Sequence, residues 1–135
     1  MQTDARAVVI RFNREVIEQG LPASLAALLA PEFVNHTAPP GMPSGAEGMR
    51  MMFEDILRPA LPDLRVEIHD QIVEGDKVVT RKTLRGTHRG TLLGVAATGR
   101  TIEISVIDIV RVAGGRYVEH WGSNDLPAVL ASLRG

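Results

Sequence analysis

The stretch Thr101–Asp125, TIEISVIDIVRVAGGRYVEHWGSND, constrains the fold more than any other part of the chain. Ile102, Ile104, Val106, Val110 and Val112 recur at every second position, the period at which a strand sends side chains to one face. Ala113-Gly114-Gly115 then supplies a tight turn, so two long strands joined as a hairpin are expected. One slot of the alternation holds Asp108 instead of an aliphatic residue. An unpaired carboxylate in a dry core is costly, which implies that this face opens onto a pocket. The second strand concentrates Glu119, His120, Trp121 and Asp125 within seven residues, a density of polar chemistry that places the pocket on the concave side of the hairpin.

The remaining elements are read in chain order. From Thr3 to Gln19 the residues Ala7, Val8, Ile10, Phe12, Val16 and Ile17 fall mostly on one helical stripe. Thr3 or Asp4 is placed to cap this amphipathic helix, and Gly20 to end it. Leu21–Leu29, with Pro22 in its first turn, predicts a short second helix stopped by Pro31. Glu32–Thr37 is a short segment ending in polar groups, and Ala38–Gly45 is a proline- and glycine-rich loop positioned to act as a lid. Glu47–Leu57 resumes helical spacing with Met49, Met52, Phe53, Ile56 and Leu57; Met52 and Phe53 are either plain core or an adaptable apolar wall for a ligand. Leu64–Val73 and Lys77–His88 alternate as strands about a Glu74-Gly75-Asp76 turn, Gly90–Gly99 is irregular, and Leu126–Leu133 closes the chain as a short helix or turn. Helices followed by a run of antiparallel strands is the order of an α+β domain in which a bent sheet wraps around the helices, and at 135 residues one domain spanning 1–135 is expected.

Charge narrows the partners. Fifteen Lys plus Arg against sixteen Asp plus Glu leave no basic footprint for phosphates, so nucleic acid is not an expected partner. No run approaches the roughly 18 apolar residues of a membrane span. The N-terminal stretch carries charges through its apolar part and is not read as a secretion signal, so a cytoplasmic protein is expected. The absence of cysteine removes disulfides, thiolate nucleophiles and cysteine-ligated zinc. His36, His69, His88 and His120 are scattered with no pair at the helical spacing that holds zinc, so no metal is expected. The serines lack a nucleophile-elbow context, and the glycines around Gly86, Gly90 and Gly94 do not form a phosphate cradle.

Several separated motifs share one resemblance. Phe33-Val34-Asn35-His36-Thr37-Ala38-Pro39, Pro62-Asp63-Leu64, Glu74-Gly75-Asp76-Lys77-Val78, Arg81 to Gly90, Thr98-Gly99-Arg100, and Gly115 to Trp121 with Asp125 together resemble the SnoaL-like polyketide cyclase (ester cyclase) family. The resemblance implies membership of the nuclear transport factor 2-like superfamily, with a cone-shaped α+β barrel, a deep pocket between helices and curved sheet, and commonly a homodimer. It also implies ring closure by intramolecular aldol chemistry without metal or cofactor, on a small apolar or aromatic-type substrate. A non-catalytic domain binding a small hydrophobic ligand, and a hydrolase or isomerase on the same fold, are the alternatives.

The candidate site residues carry competing readings. Asp125 matches the family's acid/base aspartate after the tryptophan, or else caps the closing Leu126–Leu133 segment. Asp108 is either a pocket carboxylate or half of a buried ion pair with Arg81 or Arg111, and Arg81 is also a candidate substrate contact. His36 and its neighbour Asn35, at the mouth of the proline-rich loop, are with His88 candidate donors to the substrate oxyanion, His36 orienting or protonating that oxygen, or else the pair hydrogen-bonds the loop. His88 is a pocket donor or a turn-stabilising group. Period-two geometry puts Glu119 and Trp121 on one face and His120 on the other, so either that pair or His120 lines the cavity. On the outer face, Val79, Ile107 and Ile109 are placed to make an apolar contact with a second copy.

Overall fold

The computed structural model describes residues 4–135. Thr3, one of the two expected caps, lies outside the described residues, whereas Asp4 occupies the N-cap position and accepts a hydrogen bond from the backbone of Arg6. Helix α1, Ala5–Arg11, continues as a wider-wound π-helical stretch, Phe12–Glu18, and buries Val8, Val9, Phe12, Val16 and Ile17. Helix α2, Pro22–Leu28, passes directly into strand β1, Leu29–Asn35. Pro31 therefore lies inside a strand and not merely at a helix end. It is tolerated because β1 is an edge strand, and the pairing of β1 is interrupted between Leu29 and Val34.

After the loop, helix α3 runs through Ala46–Arg50, Met51–Leu57 and Arg58–Ala60. Strands β2 (Arg65–Glu74), β3 (Lys77–Thr87), β4 (Thr101–Ala113) and β5 (Arg116–Asn124) follow, and helix α4, Leu126–Arg134, closes the chain. The sheet order is β1-β5-β4-β3-β2, antiparallel throughout except for the parallel β1–β5 pair. The expected α+β cone is thus present, with a five-stranded open sheet in place of a closed barrel. Helices α1 and α3 pack on its concave face, where the Phe12 ring stacks on Tyr117 at 4.3 Å and meets Phe53 edge-on at 6.2 Å.

Two details position the site. Strand β4 buries Ile102, Ile104, Asp108, Val110 and Val112, so the aspartate does occupy an inward slot. Strand β5 carries a bulge: Val112 pairs with Tyr117, but Arg111 pairs with Glu119, leaving Val118 as the extra residue. The bulge lets Tyr117 and His120 both face inward, against the strict alternation that would link Tyr117 with Glu119 and Trp121. The concave row across the strands is then Thr80, Asp108 and Gly122, with Lys82 one step along β3 and His120 one step along β5.

Candidate active site

A cavity of about 150 Å³ lies between α3, the Ala38–Pro43 loop and the concave sheet. A void of this order accepts a single aromatic ring. Its walls are mostly apolar, from Ile17, Met49, Met52, Phe53, Leu84 and Ile104. The loop closes tightly against α3 because Gly48 has no side chain: a Cβ there would fall 1.9 Å from the carbonyl oxygen of Pro43.

One end of this cavity is polar. Asp108, Lys82, His120 and Asn35 all line it, and Asp108 and Lys82 are only 6% and 5% exposed. Lys82 Nζ lies 3.2 Å from Asp108 Oδ2 and donates to Asn13 Oδ1 at 2.7 Å. Asn13, fully buried on α1, is held in turn by its Nδ2 donating to the carbonyl of Val9 at 2.8 Å. On the other side, His120 Nε2 lies 3.5 Å from the same Asp108 Oδ2. The imidazole can lean there because a Cβ on Gly122 would meet its Cε1 at 2.8 Å.

Hydrogen-bond chemistry assigns the protons. The backbone N–H of Thr37 can only donate, and it donates to Asn35 Oδ1 at 3.1 Å. That amide oxygen also faces His120 Nδ1 at 2.8 Å, so Nδ1 carries a hydrogen and donates. Nε2 then meets the Asp108 carboxylate either as a bare lone pair, which repels, or through a proton, which attracts. The contact is favourable when Nε2 carries a hydrogen directed at Asp108 Oδ2. Thr37 completes the support: its hydroxyl bonds Asn35 Oδ1 at 3.1 Å and accepts the backbone N–H of Gly122 at 2.8 Å.

Burial is the largest single influence on the Asp108 carboxyl and pushes its pKa up, but the charge of Lys82 and the hydrogen bond and charge of His120 together outweigh it. The net result lies below the usual carboxylate range, so Asp108 is ionised at neutral pH. Its Oδ1 is buried with no hydrogen-bond partner among the described residues. Burial, assisted by the Asp108 charge, pushes the Tyr117 phenol well above its ordinary value and keeps it neutral.

A family model for the SnoaL-like polyketide cyclases matches residues 7–133. The chain belongs to the SnoaL-like polyketide cyclase family. Its fold is similar to that of IdmH from Streptomyces antibioticus, a proposed polyketide cyclase, at 33% identity and a TM-score of 0.84 over 98% of this chain and all of that one. TsrD from Streptomyces laurentii is similar at 30% identity and a TM-score of 0.84, covering 98% of each chain. AclR from Streptomyces galilaeus, a proposed hydroxylase, is similar at 25% identity and a TM-score of 0.81, with 96% and 95% covered. These neighbours share the nuclear transport factor 2-like fold. No curated protein sequence matches significantly.

Within this SnoaL-like chain, Asp108, His120, Asn35, Met52 and Phe53 come together on one cavity. The other expected residues lie elsewhere. Asp125 is exposed at the start of α4; its Oδ1 accepts the backbone N–H of Ser105 at 2.8 Å, tying the end of β5 to β4 and keeping it off the cavity wall. It stands at the N-cap position without capping through its side chain, and Asn124 Oδ1 instead accepts from Leu126. His36 projects from the outer face, stacked on Trp121 at 4.7 Å and bonded to Glu119 at 2.7 Å, because it alternates with inward Asn35 on β1. Glu119 is also bonded to Arg111, whose hydrogen bond, followed by that of His36, holds its carboxyl below the usual range. Neither Arg81 nor Arg111 partners Asp108: Arg81 pairs with Asp70 on the outer side, and the buried partner is Lys82.

His88 is fully buried away from this cavity. Its Nδ1 accepts the backbone N–H of Thr98 at 3.3 Å and meets the Thr98 hydroxyl at 3.0 Å, so it fastens the turn before β4. Lys82 and Asn13 were not among the expected residues. Strand parity carried the signal for Lys82, which shares the face of Val78 and Leu84; for Asn13 it was helical spacing, one turn beyond Val9 on the buried stripe.

Proposed function

We propose that this SnoaL-like protein is a cofactor-independent, cyclase-type enzyme that closes a ring in a small, largely apolar or aromatic carbonyl compound by enolate chemistry. The supporting observation is that a largely apolar, ring-sized cavity contains a buried carboxylate flanked by two further titratable side chains, Lys82 and His120. A pocket that only holds a hydrophobic metabolite has no use for three such groups at one end, since their burial costs free energy that a smooth aliphatic wall avoids. This favours chemistry over binding alone, and the acid/base role falls to Asp108 in preference to the exposed Asp125 or the outward His36.

The steps follow from the proton assignment. Asp108 takes the proton from the carbon beside a substrate carbonyl, and the C–H electron pair forms the enolate as the carbonyl pair moves onto oxygen. The enolate carbon attacks a second carbonyl in the same molecule, forming the ring bond. His120 Nε2 gives its proton to the new alkoxide. Asp108, now protonated, returns that proton to His120 across the 3.5 Å gap, which restores both groups. Asn35 accepts the Nδ1 hydrogen and so leaves Nε2 as the ring nitrogen that gives up and regains the proton.

Acid/base groups of this kind contribute about 10²–10⁴-fold to rate. Asp108→Asn is therefore expected to lower turnover by that order with the circular dichroism spectrum unchanged. Wild-type turnover by the variant on a confirmed substrate would reject the role.

We also infer that the protein works as a homodimer joined through the outer face of the sheet. Ile72, Val79, Ile109 and Trp121 are successive cross-strand partners, forming an apolar row across four strands. Ile72 and Ile109 are 66% and 36% exposed, and a continuous apolar row of this kind gains by being covered.

A further inference from the structure

We propose that Lys82 is the oxyanion-binding group of this cavity, its free ammonium N–H receiving the oxygen on which negative charge develops in an enolate or phenolate ligand. The proposal rests on the acid/base reading of Asp108. Of the fifteen cationic side chains in the sequence only Lys77 and Lys82 are lysines, and Lys82 is the one buried at the cavity end. An ammonium carries three N–H donors on a compact charge. One is spent on Asn13 Oδ1 and one is directed at Asp108 Oδ2; the third has no protein acceptor among the described residues. Lys82 is itself a lining residue of the cavity, where that third donor can meet a ligand.

The charge balance explains why a lysine belongs here. Before reaction the negative charge sits on Asp108. When the C–H bond breaks and its proton passes to Asp108, that charge appears on the substrate oxygen instead. An ammonium in reach of both positions has the negative charge beside it before and after the transfer, whichever atom carries that charge at the low-dielectric end of the cavity. Asn13 is the positioning residue: bonded to Val9 on α1, it holds Nζ when Asp108 becomes neutral and releases its share.

The test uses 4-nitrophenol as an enolate-like probe with Asp108→Asn protein, in which the competing carboxylate is replaced by an isosteric neutral group. The protein is expected to bind the ionised probe, seen as phenolate absorbance persisting below the pH at which the free probe titrates. With ε-¹⁵N-lysine labelling, the signal of Lys82 shifts on saturation and that of Lys77 does not. Adding Lys82→Met is expected to weaken binding about tenfold or more, the scale of a hydrogen bond to a charged group, and to return the bound probe to its neutral form. Binding undiminished by Lys82→Met, a Lys82 signal that does not move, or no saturable binding to Asp108→Asn protein each overturns the proposal. If the double variant does not fold, the lysine spectrum of the single variant decides. None of these readouts needs turnover, so full activity of Asp108→Asn sinks the acid/base reading separately from the lysine assignment.

Discussion

Asp108 shows how a residue can break a pattern for a reason that lies on three other elements. Its inward position was legible as the single non-aliphatic slot in the β4 alternation. Its partners were not, because Lys82 is one of several polar residues in a strand rich in them, and Asn13 is a polar residue in an otherwise apolar helical stripe. Only the packing of α1 over β3 brings the three together. The pairing has a consequence for acid stability. The folded-state pKa of Asp108 is depressed, so its contribution is present above the ordinary carboxylate value of about 3.9 and is lost as pH falls through the lower folded value. Asp108→Asn is therefore expected to flatten the acid limb of stability, read as the change in urea midpoint between neutral and acid pH. A limb as steep as that of the wild type would show that the pair contributes nothing.

Elements decide which of the expected residues can meet. Alternation along β5 was visible in the sequence, but the Val118 bulge that makes His120 inward depends on pairing with β4, which a single strand's pattern does not record. Likewise His36 and Asn35 are neighbours in sequence and opposite in direction once β1 pairs with β5. The expected Ala38–Gly45 loop does border the cavity, and its closeness to α3 depends on Gly48. Gly122 plays the matching role on β5. In Gly122→Ala the added methyl meets the far end of the His120 ring, which must give up its place between Asn35 and Asp108, so thermal stability is expected to fall by the worth of one hydrogen bond, ~1 kcal/mol. The ring then leaves Asp108, and turnover is expected to fall on the order of a hundredfold, the usual scale for a small misplacement of a reacting group. Unchanged turnover with the imidazole displaced would show that His120 has no part in the chemistry.

The whole molecule divides its sheet between two tasks. The concave face carries the cavity and its buried polar end; the convex face carries the apolar row of Ile72, Val79, Ile109 and Trp121. On the proposal that this face joins two copies, wild-type protein is expected to sediment as a dimer and Ile109→Arg as a monomer, and a profile unchanged by the substitution would reject that face as the contact. The α+β cone was legible because four of the five strands follow the first three helices, although β1, between α2 and α3, was not read as a strand; its site was less so, because the last of the family motifs ends at Asp125, which the fold uses to pin β5 to β4. The most direct test is a side-by-side measurement of kcat for Asp108→Asn and Asp125→Asn on the same substrate. Loss of about 10²–10⁴-fold in Asp108→Asn, with Asp125→Asn near wild type, is the predicted result; the reverse pattern would contradict it.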